Sequence, residues 1–176
     1  MKKIIPAFLV LVSMFAFLAF APADAWKIGT KNNVTFSTSG VSGIFKTLTG
    51  KIVFDEQNLS TAIFDISIDV NSINTGNGMM NTHAKGDDWF ESAKYPSIKF
   101  TSKKVEKTPT GYLATGSLQM HGITKEMSLP FTFTKNETGG IFEGTFSVKR
   151  NDFKIGEAGG EVGDEIKIKV TVPVTK

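Results

Sequence analysis

The chain has 176 residues, 40% hydrophobic and 21% charged, with a formal net charge of +3 and no cysteine. The missing cysteine excludes a disulfide framework, a thiol nucleophile and thiolate metal ligands together. Basic residues alternate along the chain instead of forming a block, which argues against nucleic acid or an acidic membrane surface as the main partner. In chain order, residues 1–25 read as an export leader: Lys2 and Lys3, an apolar run from Ile4 to Phe20, and the small-x-small site Ala23, Asp24, Ala25. Pro6 and the alanine-flanked end favour cleavage over a membrane anchor. No cysteine follows to carry a lipid, so the expectation is a periplasmic or secreted protein without stable membrane insertion.

The stretch from Trp26 to Lys176 is long enough for one domain with its own core. Its recurring signal is two-residue alternation, the mark of a half-buried β-strand. Val34 and Phe36 begin one strand, and Ile52 and Phe54 lie in the next. Ala62 to Val70 alternates Phe64, Ile66, Ile68 and Val70 against Asp65, Ser67 and Asp69. Ser97 to about Lys104 is the fourth strand, with Ile98 and Phe100 in phase. Tyr112, Ala114, Gly116, Leu118 and Met120 share a face of the fifth. Met127, Leu129, Phe131 and Phe133 mark the sixth, Phe142, Phe146 and Val148 the seventh, and Ile166, Ile168, Val170, Val172 and Val174 the last. Turn residues separate them at Thr108 to Gly111, His121-Gly122, Asn136 to Gly140 and Glu157 to Gly163.

Eight strands with mostly short connections predict an all-β antiparallel meander, a sandwich or a barrel. The one long connection, Asn71 to Pro96, is expected to carry one or two helical turns within Asn81 to Ser92 and to bury Trp89 and Phe90. Eleven of the 15 phenylalanines lie beyond the leader, and their inward phase favours the barrel. An eight-stranded barrel is just wide enough to be filled by side chains or to hold one slender ligand. Gly116 and Gly144 interrupt the inward phase; they are either bend points or places where the lumen lacks side-chain volume.

The stretch SIDVNSINTGN, then a histidine, then WFESAKYPSIKFTSKKV resembles the YceI-like family of exported, lipocalin-like proteins. So do Gly43 to Phe45 with Leu48 to Asp55, Gly116 to Lys125, Arg150 to Gly156, and Val162 to Ile166, which follow the family's order over almost the whole chain after the leader. The resemblance implies an eight-stranded antiparallel lipocalin-like barrel. Its elongated apolar pore would hold a polyisoprenoid, an isoprenoid quinone or a similar long-chain amphiphile, with no metal, no other cofactor and no catalytic residue. The inward residues that would touch such a guest are Phe36, Phe45, Phe54, Phe64, Ile66, Ile68, Ile98, Phe100, Leu118, Met120, Leu129, Phe131, Phe142, Phe146, Val148, Ile166 and Ile168, with Met79 and Met80 at the mouth. Two departures stand out. Met79, Met80 and Asn81 replace a charged run found in many relatives, which suggests that apolar contacts replace a charged tie. Thr38 to Ser42 is short and lacks the relatives' histidine.

Chemistry-bearing residues are sparse. His83 and His121 are expected to be a helix residue and a turn residue, not metal ligands. Asp87 and Asp88 lack the alternating acidic spacing of a calcium loop, and Asp65 and Asp69 sit on the wet face of a strand. No nucleophile motif occurs, so the chain is not read as an enzyme. Arg150 and Asp152 are expected to form an ion pair or turn-fixing hydrogen bonds, in preference to contact with a ligand head group. Met79 and Met80 read equally as a flexible lip or as core filler. The function expected is sequestration or transport of a lipid in the bacterial envelope. The alternative is a ligand-free interaction or stress-protective module whose barrel is filled by its own phenylalanines. Exposed edges at an imperfect closure would support a homodimer.

Overall fold

The computed structural model describes residues 25–176, so the expected leader, Ala25 apart, lies outside the described residues. Eleven strands form one sheet: β1 Ala25–Ile28, β2 Asn33–Thr38, β3 Val41–Phe45, β4 Leu48–Val53, β5 Ile63–Asp69, β6 Ile73–Asn74, β7 Ser97–Thr108, β8 Gly111–Met120, β9 Ile123–Lys135, β10 Gly139–Lys149 and β11 Glu165–Thr175. Among the described residues there is one α-helix, α1, Gly78–Lys85.

These strands make eight staves, because β1 with β2, β3 with β4, and β5 with β6 are each one stave broken by a few residues. Every pairing is antiparallel, and β1 meets both β4 and β11, which closes the ring. The barrel expected from the alternation is therefore present. β8 shows why it forms: Tyr112, Ala114, Leu118 and Met120 are buried, and Leu113, Thr115 and Ser117 between them are only half-buried.

The breaks in the first three staves line up as a corner. The Lys46 N–H donates to the Ser72 carbonyl at 3.2 Å, the Thr47 N–H to Ser72 Oγ at 3.1 Å and the Asp69 N–H to the Thr47 carbonyl at 3.1 Å. The Asn32 side-chain amide donates to the Gly29 carbonyl at 2.9 Å. Backbone groups that leave the ladder at the bend are thus paired with one another. Glycines serve close approach elsewhere in the wall. Gly50, at φ +141°, lets the Asp65 carbonyl of β5 come close, and Gly116 does the same for Thr101 beside the bulge at Ser102 to Lys104.

One seam is short. Only Phe131 to Lys135 of β9 pair with Gly140 to Gly144 of β10. Pro130 has no N–H to continue the ladder, and beyond it the two strands are unpaired with each other. Along this seam the two strands keep edges that are unpaired with each other.

One end of the barrel, the base, carries Phe54 to Ala62, the Thr108 to Gly111 turn and the loop 136–138. The other end, the mouth, carries the long connection with α1, the His121-Gly122 hairpin and residues 150–164.

Candidate ligand-binding site

The lumen is two compartments. At the base, Phe54 is 2% exposed and its ring centroid lies 5.0 to 6.1 Å from those of Tyr112, Phe133, Phe142, Phe131 and Phe64. Trp26 packs on Phe133 at 5.3 Å, and its indole N–H donates to the Phe54 carbonyl at 2.9 Å. The tilted and edge-on geometries are those that aromatic quadrupoles favour. This half is a solid plug. Burial, and then a 2.8 Å hydrogen bond to Glu56, push the Tyr112 hydroxyl above its ordinary pKa.

At the mouth the same lumen holds a cavity of about 420 Å³ with almost entirely apolar walls. A volume of that size is typical of small-molecule sites. The corner divides the compartments along the first three staves. Val34 and Phe36 of β2, Val41 and Phe45 of β3 and Ile73 of β6 line the cavity, whereas β1 and β4 contribute nothing and β5 only Ile68.

Of the residues expected at the ligand, Phe36, Phe45, Ile68, Ile98, Leu118, Met120, Phe146, Val148, Ile166, Ile168, Met79 and Met80 lie together on this cavity. Phe54, Phe64, Phe131 and Phe142 do not; they are plug residues. Ile66, Phe100 and Leu129 also belong to the core and do not line the cavity. The expected elongated apolar pore is, in the structure, a cavity in the mouth half of the barrel. Gly116 and Gly144 do not line the mouth cavity, and Gly144 borders an open groove of about 360 Å³ at the β9–β10 seam; a Cβ at Gly144 would meet the Pro130 carbonyl at 2.9 Å and one at Gly116 the Thr101 carbonyl, so both are close-approach positions.

The connection roofs the cavity, and its helix lies nearer the N-terminal end than expected, at Gly78–Lys85. Asn77 caps it: its Oδ1 accepts from the Met79 and Met80 N–H groups at 2.9 and 3.2 Å. Gly86 ends it, and the chain folds back so that the Phe90 N–H donates to the Ala84 carbonyl at 3.1 Å. Trp89 and Phe90, expected to be buried, are half-buried, and both line the cavity, Phe90 edge-on to Phe45 at 5.9 Å. Met79 is 83% exposed and Met80 38%, which makes them lip and not core. Asn81 supplies the tie that apolar contacts were expected to supply. Its Oδ1 accepts from the Thr75 N–H and hydroxyl at 2.8 and 2.9 Å.

Arg150 resolves the two alternatives expected of it. It forms no ion pair with Asp152, whose carboxylate meets Lys125 at 3.2 Å. Only 4% exposed, it donates to the carbonyls of Gly163, Ile155, Glu157 and Val162 and to the Asn151 side chain, between 2.8 and 3.2 Å. Its guanidinium also lies 5.4 Å from the Trp89 ring. All five of its donors are committed, four to carbonyls within residues 155–163 and one to Asn151, so the turn-fixing role is the one observed.

His83 is a helix residue that accepts from the Trp89 indole N–H at 2.8 Å. His121 is a turn residue at φ +51°, with Nδ1 donating to the Phe153 carbonyl at 3.0 Å and Nε2 3.7 Å from Glu91. Among the described residues, no group of three or more His, Asp or Glu side chains comes together as metal ligands would. Asp69 accepts from the Asn71 N–H at 2.9 Å in a local turn. Alternation did not single out Ile155 or Val162, which reach the cavity from the loop after β10. The motifs Arg150 to Gly156 and Val162 to Ile166 were the pointers to that loop.

The profile of the YceI-like domain matches residues 26–174. A UPF0312 protein of Photorhabdus laumondii is 31% identical over 140 residues, covering 76% of this chain and 73% of its own. A UPF0312 protein of Yersinia enterocolitica is 29% identical over the same shares. Among solved structures, Burkholderia cenocepacia BcnA matches with a TM-score of 0.79 and 27% identity, covering 85% of this chain and all of its own. The Campylobacter jejuni YceI protein matches at 0.70 and 29%, covering 80% and 88%. A polyisoprenoid binding domain from Saccharophagus degradans shares the fold at 0.63 and 18%, covering 86% and 97%.

Proposed function

Because the chain belongs to the YceI-like family, we propose that it binds a long-chain apolar amphiphile, an isoprenoid or similar lipid, and shields it from water in the bacterial envelope. The observation that carries this reading is the apolar cavity at the mouth, roofed by a helix whose methionines form its lip. The polyisoprenoid named for the Saccharophagus degradans domain supports the ligand class through the shared fold.

The physical role is sequestration. Each methylene removed from water gains about 0.8 kcal/mol, so a free prenyl chain has no useful solubility. A lipid leaving a bilayer already sits in hydrocarbon, and its transfer into the cavity is nearly neutral in apolar burial. Selectivity then rests on cavity shape and on the few polar groups at the mouth. Such a balance suits a carrier that loads and unloads, working in the periplasm or outside the cell once the leader is removed. A second copy would add its strands at the open β9–β10 seam.

The filled base is what a ligand-free interaction module would show throughout, but the mouth half is not filled. Gentle purification, solvent extraction and mass spectrometry should recover a prenyl or alkyl lipid. Added prenyl alcohols should raise the melting temperature. If extraction repeatedly returns nothing and prenyl alcohols leave melting unchanged, the proposal fails.

A further inference from the structure

We infer that the aromatic plug is a length gauge: the cavity is blind, and the layer of side chains at its floor sets how much of a tail is accepted. This inference rests on the lipid-binding reading above. On β11 the cavity is lined by Ile166, Ile168 and Val170, but the next inward residues, Val172 and Val174, are buried below it. On β10, Phe146 lines the cavity and Phe142 lies in the plug, with Gly144 between them adding no side chain.

Strand geometry converts this boundary into a depth. Ile166 to Val170 spans four residues, about 13 Å along a strand at the usual rise. At the usual barrel tilt that is about 10 Å along the axis. The whole inward run, Ile166 to Val174, is twice as long, so the plug removes about half the bore. A tail longer than the free half cannot bury its far end. The preferred guest is therefore a single-ended amphiphile with a tail that stops at Phe142 and Val172, its head left at the lip. A polyisoprenoid threaded through the whole barrel does not fit this shape.

The test is a chain-length series of primary alcohols, butanol to hexadecanol, with affinity measured by displacement of a fluorescent apolar probe. While each added methylene is buried from water, affinity should rise about fourfold per step, and the rise should stop at a break. Val170→Phe, which raises the floor, should move the break to shorter alcohols. Phe142→Ala, which lowers it, should move the break to longer ones. If Phe142→Ala does not fold, Val170→Phe alone decides. Affinity rising without a break, or a break that stays at the same length in both folded variants, overturns the gauge and leaves lipid binding standing. Wild-type protein that binds no alcohol and no prenyl lipid overturns the lipid-binding reading itself, and the gauge with it.

Discussion

Arg150 brings a full positive charge to a place that is 4% exposed, and no carboxylate neutralises it there. Four carbonyl dipoles and one side-chain amide do so instead. Each hydrogen bond with a charged partner is worth more than a neutral one, and each carbonyl left bare in a buried site costs free energy of its own. Arg150→Met is therefore expected to destabilise the protein by about 3 kcal/mol or more, seen as a lower urea midpoint. Arg150→Lys should recover little, because one ammonium group cannot reach four carbonyls. Limited proteolysis should cut residues 154–163 faster in both variants. A variant with normal stability and lost lipid affinity would mean that Arg150 reads a head group after all. The sequence left an ion pair with Asp152, two residues away, and turn-fixing hydrogen bonds as alternatives. Which groups an arginine meets depends on loop conformation, and neither composition nor alternation encodes that.

At the scale of elements, alternation gave the face of each strand but not its height along the barrel. A period of two places a side chain inward or outward. It says nothing about which end the residue occupies. That is why Phe54, Phe64, Phe131 and Phe142 were grouped with Phe36 and Phe146, although the two sets fill different compartments. Height was legible from the turns: residues near the Thr108 to Gly111 turn belong to the base, and those near the long connection belong to the mouth. The corner left no comparable sign, because the hydrogen bonds that tie Lys46-Thr47 to Asp69 and Ser72 join residues far apart in sequence. The helix start was missed because Asn77 and Asn81 are both plausible caps, and only Asn77 is followed by free N–H groups to accept. Asn77→Ala should cost α1 about 1 kcal/mol, and since the helix buries no residue, the barrel should not feel it. Hydrogen exchange at Met79 and Met80 should speed up several-fold with the global unfolding midpoint unchanged. A drop in that midpoint would show that the roof is part of the folding unit.

For the whole molecule, the two compartments divide stability from function. The plug has the dense ring packing of a protein interior, where a changed side chain leaves a gap that neighbours cannot close. The cavity is already a gap, so trimming its wall removes fewer contacts. Phe54 packs against five aromatic rings, whereas Phe146 is half-buried and faces the void. Phe54→Leu is expected to cost about 2 to 3 kcal/mol through lost burial and ring pairing, and Phe146→Leu less than about 1 kcal/mol. Binding should reverse the order. A bound lipid stabilises the folded state according to its concentration over its dissociation constant, so the added thermal shift reads affinity directly. Phe54→Leu should show the wild-type shift from a lowered baseline, because the cavity it leaves behind is separate from the ligand's. Phe146→Leu should show a near-normal baseline and an altered shift. Were both variants to lose stability and ligand response in equal measure, the lumen would be one continuous core and the division between plug and cavity would not hold.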